Sequence, residues 1–372
     1  MRIGITCYPV PGGSGVVATE LGIELKKRGH QVHFISYSLP FRLQKYEEDL
    51  FFHEVEVSNY PLFKYPPYTL SLASKMAEVA SLWKLDILHV HYAIPHATCA
   101  FLAKQIIPSP APKIITTLHG TDITLVGNDK SFFEITKFSI AQSDGITAVS
   151  SYLSERTKRE FGIEKDIEVI PNFVDCKRFK PGDFSCKKQF ASADEKVLMH
   201  ISNFRPVKRI GDVIKVFDLI QKEIPAVLLL IGEGPDLPLA IELTNNLNLK
   251  DKVIFLGSQD FVENLLPVAD LFLLPSQNES FGLVALEALS CGVPVIATNT
   301  GGLPEVVENE KCGYLANLGD VEFMAEKGIE LLKDENKLGK FKECARKTAL
   351  EKFDSQIIVP WYENFYKKIL EK

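Results

Sequence analysis

The chain has 372 residues, 46% hydrophobic and 24% charged, with a formal net charge of −6. That length exceeds one compact core and suits two domains of about 150 to 200 residues. The acidic balance argues against a nucleic-acid binder and gives no support to a basic membrane-surface helix. Seven cysteines (7, 99, 176, 186, 291, 312 and 344) are scattered and never spaced as CxxC. They read as reduced thiols in a cytoplasmic protein, not as a disulfide frame or a zinc site. MRIGITCYPV runs straight into a strand-like segment without a signal-peptide core, and no apolar run approaches the ~18 residues of a membrane span.

The first half reads as an α/β series. Strand-like runs stand at 2–8, 31–36, 86–92, 113–119 and 145–150, separated by helical patterns such as 16–28 and 68–83. Such Ile-, Val- and Leu-rich strands alternating with helices predict a mostly parallel sheet covered on both faces. Between the first strand and its helix lies Gly12-Gly13-Ser14-Gly15. A glycine loop before a helix offers free amides and a positive dipole end to an anion, or serves as a structural turn. Residues 13–18 satisfy the dinucleotide pattern GxGxxA, so a dehydrogenase is a rival. It fails because residues 33–37 (HFISY) lack the expected acid, and because the loop 8–11 is longer than that fingerprint's tight turn. His89 and His91 share one strand face, with His96 nearby, but no carboxylate or cysteine lies at ligand spacing and no metal is expected. His119-Gly120-Thr121-Asp122 ends the fourth of these strands.

PNFVDCKRFKPGD (171–183) has two prolines, a glycine and no hydrophobic period, and reads as the hinge. A second series follows at 196–202, 226–232, 252–257, 270–275 and 293–298. The expected division is 1–171 and 172–354, with an aromatic-rich helix at 355–372 packing back on the first domain or across the hinge. Two doubly wound domains facing a central cleft would place ligands at the carboxyl ends of the strands. Asn203, Arg205, Lys208 and Arg209 follow the first strand of the second series, where cations suit a diphosphate or form a solvated basic turn. Gly232-Glu233-Gly234-Pro235 and Thr300-Gly301-Gly302-Leu303-Pro304-Glu305 close two further strands.

The run ESFGLVALE places Glu279 and Glu287 eight positions apart across an apolar helix. At about 1.5 Å per residue they span at most roughly 12 Å, the reach of a sugar and a diphosphate with part of a ribose. A carboxylate among Val284, Ala285, Leu286, Ala288 and Leu289 needs a partner, either a ligand or a structural cation.

Together these motifs resemble the retaining glycosyltransferases of family 4, with the two-domain GT-B fold, over essentially the whole chain. ITCYPVPGGSG, SLPFRL, FHEVEV, FKYPPY, HVHYAIPHA, TTLHGTDIT, AVSSYL and HISNFRPVKR are similar to the branch that transfers GlcNAc from UDP-GlcNAc to the hydroxyl of L-malate, the first step of bacillithiol biosynthesis. The resemblance implies that Glu287 holds the ribose and Glu279 the donor sugar. The amides of Phe281, Gly282 and Leu283 face the phosphates, Lys208 and Arg205 stabilise departing UDP, and Gly15 touches the phosphate. The wider family commonly has arginine where this chain has Asn203, so Arg205 takes that charge. His119 lies beside the transferred sugar, not as a general base. For the malate dianion the expected acceptor-side residues are Ser14, Lys64, Tyr92, Thr117, Thr121 and Lys137. No metal or other cofactor is implied, and homo-oligomerisation is compatible with the reading. An inositol phosphate or glycan acceptor, and a non-catalytic nucleotide-sugar sensor, are the alternatives.

Overall fold

The computed structural model of the chain describes residues 1–10, 12–43, 48–57, 61–182 and 184–372, without the side chains of 184–186. Pro11 of the glycine loop, Asp183 at the end of the hinge segment and the thiol of Cys186 therefore lie outside the described residues. The chain forms two compact units, one of 1–172 with 358–372 and the other of 173–357.

The first unit is built on β1 (Arg2–Thr6), β2 (Gln31–Ser36), β3 (Leu50–Glu54), β4 (Ile87–His91), β5 (Lys113–Leu118), β6 (Gly145–Ala148) and β7 (Glu168–Val169). Their order is β3-β2-β1-β4-β5-β6-β7, and every pairing is parallel. The strands are apolar on both faces because helices cover both; Ile3, Ile5, Ile87, Val90 and Ile115 are fully buried. Leu72, Met76, Val79 and Ala80 of the helix Tyr68–Trp83 pack in one buried cluster with Leu88, Val90 and Ile114.

The second unit carries β8 (Lys196–Ile201), β9 (Ala226–Ile231), β10 (Val253–Gly257), β11 (Leu271–Leu274), β12 (Val295–Thr298) and β13 (Gly313–Ala316). Their order is β10-β9-β8-β11-β12-β13, again all parallel. In both sheets the order reverses beside the first strand, the doubly wound topology that leaves a ligand crevice at the strands' carboxyl ends.

Three strands, β3, β7 and β13, go beyond the expected set. All are short, and β3 and β7 lie at the two edges of the first sheet while β13 closes one edge of the second. Edge strands lack the doubly buried apolar run by which the central ones are read. The first helix runs Gly13–Lys27, so Gly13, Ser14 and Gly15 form its opening turn. The last helix, Ser355–Leu370, joins the first unit from Ile358 onward, with Tyr362 and Tyr366 fully buried. Its Glu363 accepts from Arg28 Nε at 2.7 Å and meets His30 Nε2 at 2.8 Å.

Candidate functional site

In the first unit, the carboxyl ends of β1, β4 and β5 bring one polar cluster together. Ser14 Oγ donates to the Tyr92 hydroxyl at 3.1 Å. The Tyr92 ring meets Tyr8 edge-on at 5.3 Å and lies 5.5 Å from His119. Tyr92 itself sits at φ +94°, a strained turn for a tyrosine that ends β4 and re-aims the side chain. Asp122 ties the loop after β4 to the loop after β5. Its Oδ2 accepts from the Ala93 amide at 3.0 Å, and its Oδ1 from Gly120 at 2.8 Å and His119 at 3.2 Å. Burial raises the Asp122 carboxyl, and those amides oppose the rise.

Below the cluster lies a row of imidazoles. His89 Nδ1 is 2.7 Å from the Tyr366 hydroxyl and its Nε2 2.7 Å from Thr117 Oγ1. His91 Nδ1 is 2.8 Å from His119 Nε2. Burial keeps these rings neutral, pushing His89 and His119 down to about 3 and His96 to about 4.

The expected residues of this unit separate accordingly. Ser14, Tyr92 and His119 come together, and Thr121 is exposed on the turn beside them. Thr117 is corrected: it is fully buried, and its hydroxyl is spent between His89 and Thr147, 2.6 Å away. It cannot reach a ligand. Lys64 and Lys137 are not gathered with the cluster; both are exposed, Lys64 with its ammonium 5.5 Å from the Tyr65 ring centroid. Gly15 has a structural reason of its own. A Cβ there would lie 2.5 Å from the Tyr8 carbonyl oxygen and 2.7 Å from that of Val10, so only glycine lets the helix start press against the loop.

In the second unit, Lys208 Nζ donates to Glu279 Oε1 at 2.5 Å, and Ser276 Oγ donates to the same oxygen at 2.9 Å. Both charged groups are partly exposed, Lys208 by 21% and Glu279 by 12%, so a ligand can reach the pair. Arg209 is occupied by Asp212 at 2.5 Å, whereas Arg205 and Asn203 are exposed. His200 donates from Nδ1 to the Leu273 carbonyl at 2.8 Å, so its Nε2 accepts from Ser202 Oγ at 2.8 Å and steadies the turn that carries Arg205 and Lys208.

The helix that follows Glu279 is shorter than the spacing of the two glutamates. It spans Leu283–Ser290, with Gly282 left-handed at its cap (φ +95°). Glu279 therefore lies in the preceding loop, and Glu287 is buried one turn from the helix end. The first bond back to the cap is Leu286 N–H to Gly282 C=O at 3.1 Å, which leaves the amides of Leu283, Val284 and Ala285 without intrahelical acceptors. Phe281 presents only backbone there, because its ring packs edge-on against Phe353 at 5.8 Å.

Sequence reasoning gave no role to Ser276, Tyr8 or Asp122. Asp122 had a signal in the HGTD turn, and Tyr8 in its place after β1; Ser276 becomes visible only when the loop folds back. Among the described residues no group of three or more His, Cys, Asp or Glu is placed to hold a metal ion, and no helix is long and apolar enough to cross a membrane. Six described cysteines are free thiols.

Comparison with known proteins adds to this geometry. Residues 11–178 match the model of Glycosyltransferase Family 4, and residues 183–348 that of Glycosyl transferases group 1. The chain is 52% identical over its full length to N-acetyl-alpha-D-glucosaminyl L-malate synthase of Bacillus anthracis, covering 97% of that protein. It is 32% identical over 72% of each chain to a GDP-mannose-dependent monoacylated alpha-(1-6)-phosphatidylinositol monomannoside mannosyltransferase of Corynebacterium glutamicum. Among solved structures it superposes on a sucrose-phosphate synthase from Thermosynechococcus elongatus (TM-score 0.83, 20% identity, 100% and 99% of the two chains). It also superposes on Anabaena Alr3699/HepE in complex with UDP and glucose (TM-score 0.82, 19% identity, 99% of each). Both share the fold.

Proposed function

Because the chain belongs to glycosyltransferase family 4, we propose that it transfers GlcNAc from UDP-GlcNAc to the hydroxyl of L-malate with retention of the α configuration, opening bacillithiol biosynthesis. The observation that carries this reading is the full-length identity to a relative named for making GlcNAc-malate. A cytoplasmic location fits the scattered free thiols.

Lys208 and Arg205 would neutralise the UDP that leaves, with the unpaired amides of the helix start at Leu283 adding the positive end of a dipole. Those charges make a metal unnecessary in this reading. Glu279 would take the hydroxyls of the donor sugar, and its bond from Ser276 keeps the carboxylate aimed when Lys208 turns to phosphate. Glu287 would hold the ribose, and Asn203 would line the same turn. The second unit thus supplies the donor side. On the first unit, Ser14, Tyr92 and Thr121 are the proposed acceptor contacts, and the amides of the glycine turn through Gly15 offer an anion contact. Lys64, in the loop before the helix Tyr68–Trp83, and Lys137, on the helix Phe133–Gln142, stay as proposed partners for malate's charges. His119, held neutral, is a weak base. That suits a front-face route in which the leaving phosphate accepts the acceptor's proton.

Incubation with UDP-GlcNAc and L-malate should release UDP and yield the α-glycoside, with EDTA making no difference. An inositol phosphate or glycan outpacing malate by orders of magnitude in competition would replace the acceptor. Folded protein that binds UDP-GlcNAc yet turns over nothing would point to a sensor.

A further inference from the structure

His91 has two ring nitrogens and only one of them has a partner. Nδ1 lies 2.8 Å from His119 Nε2, while Nε2 is buried without any. The ring next to it shows how such a case resolves. His96 Nδ1 stands 2.5 Å from the His91 carbonyl oxygen, and a carbonyl only accepts. The His96 proton is therefore on Nδ1, and its buried, unpartnered Nε2 is a bare lone pair.

The His91–His119 bond allows two arrangements. With the His91 proton on Nε2, a buried N–H would be orphaned and His119 would have to donate. With the proton on Nδ1, the orphan is again a lone pair and His91 donates to His119. Orphaned buried N–H groups are the rarer defect, so the second arrangement wins. Both rings are neutral: an added proton on His119 Nε2 would face the His91 Nδ1–H, and one on His91 Nε2 would be a buried, charged N–H with no partner. His119 Nε2 then accepts, and its own proton must sit on Nδ1. No group among the described residues takes that N–H, and the ring lies beside Tyr92, whose hydroxyl accepts from Ser14, at the strand ends.

We infer that His91 is a positioning residue that donates from Nδ1 to His119 and so makes His119 present Nδ1–H to an oxygen of the bound substrate. The identity of that oxygen, a hydroxyl or a phosphate oxygen, rests on the glycosyltransferase reading above; the proton's place does not. His119 acts as a donor, and it loses that role if its partner cannot donate.

The test has a spectroscopic and a kinetic arm on the full chain. Long-range nitrogen–proton NMR of histidine-labelled, ligand-free protein near pH 7.5, assigned through H91N, H96N and H119N, should show His119 and His96 protonated on Nδ1. A His119 proton on Nε2 overturns the inference. Asparagine places its amide nitrogen where His91 has Nδ1 and can still donate, while phenylalanine keeps the ring and cannot. In H91N, kcat/KM should stay within about threefold of wild type, and in H91F it should fall about tenfold. Equal losses in the two variants would also overturn it. If malate is the wrong acceptor, wild type is inactive with malate while the ligand-free spectrum still decides the proton's place.

Discussion

At the scale of single residues, the proposed donor site centres on the partly exposed Lys208–Glu279 pair. A partly exposed pair contributes little to stability, because solvent screens it and two side chains must be ordered. In the proposed reaction its value would lie in what each partner does once a ligand separates them. Lys208→Ala should therefore lower kcat by about 10²–10³ fold, the typical loss for one group aimed at developing charge, while Tm shifts by only a degree or two. Glu279→Ala should raise KM for the donor and lower kcat with the same small change in melting. Unchanged kinetics in both variants would remove the pair from the reaction.

The imidazoles make a separate, pH-dependent contribution to stability. Burial pushes His89 and His119 down to about 3, and His96 and His200 to about 4, below the 6.5 of an unfolded chain. Below pH 6.5 the unfolded state takes up protons that the native state refuses, so stability falls as pH falls. The loss continues until the folded values are reached. Each group is worth at most about 1.4 kcal/mol per pH unit. Even at half that, four groups remove several kcal/mol between pH 6.5 and pH 5. Denaturant midpoints should drop steeply across that window; a flat profile from pH 7 to pH 5 would contradict the neutral assignments.

Among elements, the loops at the strand ends are set by backbone packed on backbone. Gly301 lies at φ +60°, and a Cβ on it would stand 1.8 Å from the Glu279 carbonyl oxygen. The Gly302 amide meanwhile donates to that same oxygen at 2.8 Å. Gly301→Ala should cost roughly 2–4 kcal/mol through the left-handed backbone and the clash. Activity should fall even at temperatures where the variant is folded, because Glu279 is displaced. A wild-type melting curve with wild-type kinetics would show that the loop tolerates the change. This seating also explains what was legible in the sequence. The central strands could be read because doubly buried strands are written as unbroken apolar runs. Glu279, Lys208 and His119 stood out as candidates because chemistry-bearing types stood at strand ends. Thr117 misled, since a threonine one turn of the pleat from His119 looks available until Thr147 and His89 are seen to use its hydroxyl. Ser276 and His91 were hidden for the opposite reason: their partners are 3 residues away through a folded loop and 28 residues away across two strands.

For the whole molecule, the order of synthesis and the order of folding disagree. The first unit comprises residues 1–172 but is completed by 358–372, so its core stays open until that segment is made. Ile358, Val359, Tyr362, Phe365, Tyr366 and Ile369 are all buried in it, and Tyr366 bonds His89 beneath the polar cluster. Burying six such side chains is worth roughly 9–18 kcal/mol at about 1.5–3 kcal/mol each, as large as the whole stability of a typical domain. A chain ending at residue 357 should therefore leave the first unit unfolded or aggregating while the second keeps its sheet, since no strand of 173–357 depends on the missing helix. Hydrogen exchange read by mass spectrometry would check this strand by strand. Protection should be lost over β1 to β7 and retained over β8 to β13, and a peptide of residues 355–372 added in excess should restore part of the first set. Full protection of β4 and β5 in the truncated chain would mean that Tyr362 and Tyr366 fill the core without holding it together.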